Sequence, residues 1–326
     1  MTATVVVTGA AGFIGSHTCH VLLDQGWDVL GIDAFTDYYP VPEKRSNALR
    51  LTRRERFRLV DGDIADLPLA KLLTGASAVV HLAAQPGVTN SWGATFSTYV
   101  RHNVLATQRL LEACVQVDVK QLVVASSSSV YGDAPAYPCS EDVRPNPVSP
   151  YGVTKLAMEH LCLAYSQPLV SDLRTTMLRL FTVYGPGQRP DMALCRFLEA
   201  SLAGRPVTVF GDGEQTRDFT YVADVVGAIV RSLEVPLRGE ILNIGGGYRT
   251  SVNEVLDLVG QVTGRPLRVV HEPRRAGDAL DTGADCSRAA ALLDYQPMVD
   301  LRTGLTEQAA WLAGSRGGLP GRTPGS

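Results

Sequence analysis

The 326-residue sequence has no apolar run that approaches the ~20 residues of a membrane-spanning helix, so no such anchor is expected. It has no C-x-x-C pair. Its six cysteines (Cys19, Cys114, Cys139, Cys162, Cys195, Cys286) are scattered, several in apolar helical settings, which points to reduced, buried thiols and not to a disulfide framework. His17 and His20 stand three apart on a helical stretch, but no Asp, Glu or Cys joins them at a metal-like spacing, and no metal is expected. An excess of one charge is missing too. Thirty Lys and Arg against 33 Asp and Glu leave −3, so nothing global recruits nucleic acid or an anionic membrane, and any anion site must be local. Met1-Thr2-Ala3-Thr4 leads into a strand without a basic leader segment, and a cytoplasmic location is expected. The sequence shows no internal repeat.

What the chain does have is apolar material, 45% of residues, enough for two domains or one large α/β unit. Thr4 to Thr8 is a short β-branched run that reads as a buried parallel strand. It is followed by Gly9-Ala-Ala-Gly12-Phe13-Ile14-Gly15, opening an amphipathic helix. Glycines there let the backbone approach a pyrophosphate, which then sits on the N–H groups and positive end of the helix; a tight β–α turn without a ligand would look similar. The next strand, Asp28 to Asp33, ends in an acid about 20 residues beyond the glycines. A carboxylate at that point accepts from both ribose hydroxyls and repels a 2′-phosphate, which favours NAD over NADP.

Phe35 to Arg58 reads as a polar, Arg-rich loop and helix near the adenosine end of the cofactor, its charge run a solvated face. Phe57 to Val60 is a third strand, closing on Asp61-Gly62-Asp63-Ile64, where an acid either caps an adenine amino group or simply makes the turn. Ala78 to Gln85 is the fourth, with small Ala83 and Ala84 where a cofactor would pass. Gln121 to Ser126 is the fifth. Strands alternating with helices imply a parallel sheet with right-handed crossovers and ligands at the carboxyl ends of its strands. Two long helical patterns, Ser91 to Val117 and Tyr151 to Tyr165, are apolar on more than one side. They are expected to join two copies of the chain as a homodimer, unless a second domain covers them.

Tyr151 and Lys155 stand four apart, which stacks a phenol and an ammonium on one helix face, with Pro150 suited to the helix start. An opposite charge in contact lowers a tyrosine from ~10 by roughly 1–3 units, toward a useful general base. A solvated face carrying Tyr and Lys has the same spacing. Upstream, Ser126-Ser127-Ser128-Ser129 ends the fifth strand, where a hydroxyl either bridges a substrate and the Tyr151 oxygen or caps the strand end by bonding nearby backbone.

With these motifs in order the sequence resembles the extended short-chain dehydrogenase/reductases, in their nucleotide-sugar epimerase and dehydratase branch. The likeness continues through Arg179-Leu-Phe-Thr182-Val-Tyr-Gly-Pro-Gly-Gln-Arg189, Gly211 to Val222, Asn243 to Gly247 and Arg275-Ala-Gly-Asp278, covering about residues 4 to 312. It implies an α/β fold: a Rossmann-type doubly wound parallel sheet binding NAD (1–180 plus about 218–243), a smaller C-terminal α/β domain for a UDP-sugar (181–217 plus 244–312), and a mobile tail (313–326). By this likeness Ser127, Tyr151 and Lys155 are the catalytic residues. The cofactor set is Gly9, Gly12, Phe13, Ile14, Gly15, Asp33, Asp63, Ile64, Leu82, Ala83 and Ala84, with Tyr151 and Lys155. The substrate set is Gln85, Ser127, Ser128, Ser129, Thr182, Arg189, Arg217 and Arg275, the two last suited to a diphosphate because a guanidinium donates as a fork.

In this branch, dehydratases carry an acid pair after the first hydroxyl residue, and decarboxylases usually a glutamate at the second position. Here Ser128 and Ser129 stand there instead, which disfavours elimination. Epimerisation at C4 remains. The loop from Thr182 to Arg189 resembles that of UDP-glucuronate 4-epimerases, where Arg189, Ser128, Ser129 and Thr182 would meet a sugar carboxylate; an arginine here could equally contact uridine. The alternatives are a UDP-glucose/UDP-galactose-type 4-epimerase, an unusual dehydratase or decarboxylase, and a non-catalytic NAD-binding scaffold.

Overall fold

Six apolar strand runs alternate with helices over the first 180 residues. In the computed structural model, which describes residues 3–273 and 279–316, these and a seventh strand form one parallel sheet. In chain order the elements are β1 (Thr4–Thr8), α1 (Phe13–Asp24), β2 (Asp28–Asp33), α2 (Val41–Thr52), β3 (Phe57–Asp61), α3 (Leu69–Leu73), β4 (Ala78–His81), α4 (Phe96–Tyr99), α5 (Ala106–Gln116), β5 (Gln121–Ser127), α6 (Pro150–Tyr165) and β6 (Arg174–Leu180). There follow β7 (Thr182–Tyr184), α7 (Ala193–Leu202), β8 (Val207–Phe210), β9 (Thr216–Tyr221), α8 (Val222–Glu234), β10 (Glu240–Ile244), β11 (Arg249–Ser251), α9 (Val252–Thr263), β12 (Val269–Glu272), α10 (Ser287–Leu293) and α11 (Leu301–Arg316).

The sheet order is β10-β6-β5-β4-β1-β2-β3, with every pair parallel. This is the parallel sheet that the alternation implied and the Rossmann-type doubly wound form that the family resemblance implied. The order reverses between β1 and β4, and a crevice opens outside their carboxyl ends. Strand side chains feed two cores in alternation. Val5, Val7, Val80 and Leu178 join Leu22 of α1 and Ile229 of α8 on one face. Val6, Val79, Val124 and Met177 join Leu110 of α5 and Met158 of α6 on the other. Coverage of both faces is why these strands read as continuous apolar runs.

The smaller lobe holds a three-stranded sheet, β11-β9-β7, and a parallel pair, β12-β8. β9 crosses the place near residue 218 where the sequence was divided, and it pairs with β7 as far as Tyr221 before α8 and β10 return to the large sheet. Asp218 ties this seam together: its wholly buried carboxylate accepts from Gly246 N and Ala284 N, and burial pushes its pKa up to about 6. Ser251 and Glu254 form a reciprocal cap at the start of α9.

Two expectations change. The single helix expected from Ser91 to Val117 is two 3-10 turns, α4, a wider π-helical turn over Val100–Leu105, and α5. The wider turn carries Asn103 into the interior, where its side chain bonds both Gln85 backbone groups and Thr154. The last helix runs to Arg316, past residue 313 where the tail was placed; residues 317–326 lie outside the described residues. Among the described residues no helix is long and apolar enough to cross a membrane, and all six cysteines are free thiols.

Leu22 is fully buried between the sheet and α8. Leu22→Ala is expected to cost about 2–5 kcal/mol in denaturant unfolding; a loss below ~1 kcal/mol would mean that α1 is not a principal core element.

Candidate active site

The carboxyl ends of β1, β2, β4, β5 and β6 line one cleft of about 440 Å³ that reaches into the smaller lobe at Arg217 and Thr282. At its floor Gly9 takes a φ of +72°, and a Cβ there would lie 2.8 Å from Ala83 N; a Cβ on Gly15 would lie 2.0 Å from the Gly9 carbonyl oxygen. No side chain caps α1 at Gly12, so its first N–H groups face the cleft with the positive end of the helix dipole. Phe13, Ile14, Leu82, Ala83 and Ala84 complete this floor.

Asp33 closes β2 beside it. Its Oδ2 accepts from Ala11 N at 2.9 Å and its Oδ1 from Phe35 N at 2.8 Å, which fixes the carboxylate at the cleft wall. Asp63 and Ile64 line the next stretch, with Asp63 held by Ala65 N and Arg101. Asp61 does not line it; it pairs with Arg45 at 2.8 Å on the surface and is a turn acid. The segment read as a solvated face also behaves differently. Tyr38, Tyr39 and Lys44 line the cleft, and Lys44 is buried, donating to the Thr36 carbonyl and hydroxyl across the Tyr39 ring. The Tyr39 hydroxyl is buried there with no partner among the described residues. A glycine cradle that admits no Cβ, an open helix N-terminus, a fixed carboxylate and an orphaned hydroxyl together fit a dinucleotide.

The catalytic candidates lie further along the same cleft. Ser149 caps α6 by accepting from Gly152 N at 3.1 Å, and Pro150 occupies the first turn. This sets Tyr151 and Lys155 against the end of β5. Lys155 Nζ donates to the Ala125 carbonyl at 2.8 Å, and burial, partly opposed by Glu159, brings its pKa down to about 8. The Tyr151 phenol moves the other way from the expectation. Burial raises its pKa, opposed by a hydrogen bond with the Ser127 hydroxyl and by the charge of Arg189. The Lys155 ammonium is engaged with Ala125, so the cation acting on the phenol is the arginine. Ser127 caps the strand end as one of its two readings had it, accepting from Ser129 N at 3.1 Å, and its hydroxyl also acts on the phenol.

Gln85, Ser128, Ser129, Thr182, Arg189 and Arg217 share this cleft. Arg189 is clamped by Asp191 (Nε to Oδ1 2.9 Å, Nη2 to Oδ2 3.0 Å) over the Tyr38 ring. Arg217 Nη1 donates to the Thr216 and Leu280 carbonyls at the far end. Arg275 lies outside the described residues. Tyr99 was missed: its ring stands edge-on to Tyr151 at 6.2 Å while its hydroxyl donates to the Pro86 and Gly87 carbonyls. An adjacent Tyr38-Tyr39 pair just beyond the acid of β2 was the available signal for that wall; Tyr99 and Asn103 had none beyond helical periodicity.

Residues 5–245 match the model of the NAD dependent epimerase/dehydratase family. The chain is 45% identical over 311 residues to an uncharacterised UDP-glucose epimerase, YtcB, of Bacillus subtilis (strain 168), covering 95% of this chain and 98% of that one. It is 37% identical to a UDP-glucuronate 4-epimerase of Thermodesulfobacterium geofontis (strain OPF15), covering 94% and 95%. Among solved structures it is similar to the UDP-glucuronic acid 4-epimerase of Bacillus cereus in complex with UDP-glucuronic acid and NAD, with a TM-score of 0.92, 42% identity, and 96% and 99% of the two chains covered.

Gly15→Ala must open the cradle, because the added methyl meets backbone. Its affinity for dinucleotide, measured by titration calorimetry, is expected to fall at least ~10-fold, about 1.4 kcal/mol, and unchanged affinity would remove the phosphates from this turn.

Proposed function

Because the chain belongs to the NAD-dependent epimerase/dehydratase family, we propose that it interconverts UDP-glucuronate and UDP-galacturonate, the C4 epimers of a UDP-hexuronic acid. At the coarser level it is an NAD-dependent nucleotide-sugar 4-epimerase. The observation that carries the finer reading is Arg189, a cation on the wall shared with Ser128, Ser129 and Thr182, near enough to Tyr151 for its charge to act on the phenol.

NAD, when bound, supplies the acceptor and donor of hydride at C4. Tyr151 takes the proton of the 4-hydroxyl as the hydride leaves and returns it after the 4-keto ring has turned its other face, so no net oxidation occurs. Ser127 bridges substrate and phenol, and the positive charge of Arg189 favours the phenolate, while Lys155 stays seated at the Ala125 carbonyl one turn along the helix. A 4-keto uronic acid is a β-keto acid that loses carbon dioxide when its carboxylate stands perpendicular to the carbonyl. Ser128, Ser129, Thr182 and Arg189 provide donors to hold it in another orientation. Neither Ser128 nor Ser129 can do the acid–base work of elimination at ordinary acidity, and the presence of Tyr151, Lys155 and Ser127 speaks against a non-catalytic scaffold.

The second reading is a 4-epimerase of UDP-glucose and UDP-galactose. It is favoured by Asp191, which already occupies two donor groups of Arg189, and by the likeness to the Bacillus subtilis protein. The homodimer belongs to this proposal as well: Val100 and Leu105 before α5 and Val153 on α6 are exposed apolar residues on the two long helical segments. A cytoplasmic location goes with it.

Three outcomes test the reading. Product NMR with a panel of UDP-sugars should show UDP-glucuronate going to an equilibrium mixture without added cofactor, and turnover of neutral hexoses alone would overturn it. Tyr151→Phe should lose at least ~10³-fold in kcat with NAD still bound, because the ring stays and the base is removed. Arg189→Ala should weaken UDP-glucuronate ~10-fold or more while leaving UDP within ~3-fold; equal weakening would place Arg189 on the nucleotide.

A further inference from the structure

Tyr151, Lys155 and Glu159 follow one another at four-residue steps on α6, and each meets a consecutive residue at the end of β5. The Tyr151 phenol lies close enough to the Ser127 hydroxyl to be acted on by it, Lys155 Nζ donates to the Ala125 carbonyl, and Glu159 Oε1 accepts from Ser126 Oγ at 2.5 Å. Glu159 has no place in the chemistry described so far, and it is 1% exposed. Arg179 of β6, 2% exposed, grips it with two bonds (Nε to Oε1 3.0 Å, Nη2 to Oε2 2.8 Å) and donates a third, from Nη1, to Tyr131 OH at 2.8 Å. Replacing a buried ion pair with apolar residues is often neutral or stabilising, so this pair directly beneath the catalytic lysine is poorly explained by stability.

The ionisable groups facing Lys155 come from three elements. His81 on β4 is held neutral, its pKa brought down to about 3 by burial. Cys162 on α6 is a buried thiol pushed far up, and the Tyr151 phenol is raised. Glu159, paired with Arg179 from β6, carries the negative charge among them.

We propose that Glu159, locked by Arg179, is a positioning residue of the epimerase that keeps the Lys155 ammonium charged and seated at the Ala125 carbonyl beside the base. Burial works against that charge and the Glu159 carboxylate works for it. The active form has Lys155 protonated, so activity is lost as pH rises through the lysine pKa, and removing the carboxylate moves that alkaline limb to lower pH.

The test compares Glu159→Gln, Glu159→Asp and the double variant Glu159→Gln/Arg179→Gln, which leaves no unpaired buried cation if the single change does not fold. In Glu159→Gln, or in the double variant, the alkaline limb of kcat is expected to fall by roughly one pH unit, so that at pH about 9 turnover drops ~10-fold more than at pH about 6.5. NAD retained through gel filtration at pH about 9 should drop with it. Glu159→Asp, which keeps the charge, should restore the limb. Equal losses in the Gln and Asp variants with the limb unmoved, or a folded double variant with the wild-type profile and NAD content, would overturn the proposal.

Discussion

The register between the last residues of β5 and the first turns of α6 is the constraint on which the active cleft depends. A cap at Ser149 and a proline at the first helical position fix where α6 begins. Three helix residues then face three consecutive strand residues, the ammonium and the carboxylate through hydrogen bonds and the phenol beside the Ser127 hydroxyl. A slip of one residue on either element would separate all three at once. The arrangement is buried beneath by Met158 and Cys162 and flanked by Tyr99, whose ring limits how Tyr151 can lean.

Around that register the two lobes contribute different things. The large sheet supplies the glycine cradle, the Asp33 carboxylate and the helix that carries Tyr151 and Lys155, all at the carboxyl ends of parallel strands where the order of the sheet reverses. The smaller lobe supplies Thr182, Arg189 and Arg217. Buried polar groups join the two: Asp218 holds two backbone N–H groups, and Tyr131 links Arg179 to Asn243, which in turn bonds the Cys139 and Asp285 carbonyls. These contacts leave few donors unmatched and oppose sliding of one lobe on the other.

Much of this was legible because the rules involved are local. A glycine triplet after a β-branched run, an acid at the next strand end and a tyrosine four residues before a lysine each constrain a single turn or face, and the fold follows from their alternation. What was not legible depended on tertiary placement. Lys44 looked like one charge in a solvated run, yet on α2 it is buried, with its ammonium over the ring of Tyr39 from the β2–α2 loop. Asn103 lies within the long helical pattern from Ser91 to Val117, whose periodicity does not show that a wider turn sends it inward. The sign of the shift at Tyr151 was misjudged because contact spacing along a helix says nothing about where the ammonium points or how far burial outweighs it.

The Asp191 clamp on Arg189 changes how a negatively charged sugar would be admitted. The guanidinium is compensated before any ligand arrives, so an incoming carboxylate gains a partner only by sharing with a resident anion or displacing it. Such an exchange offsets part of the new ion pair by the loss of the old one, so the carboxylate is held less tightly than an uncompensated arginine would hold it. On the proposed reading, a hexose anchored by its nucleotide and held less tightly at this wall would be free to roll between its two faces.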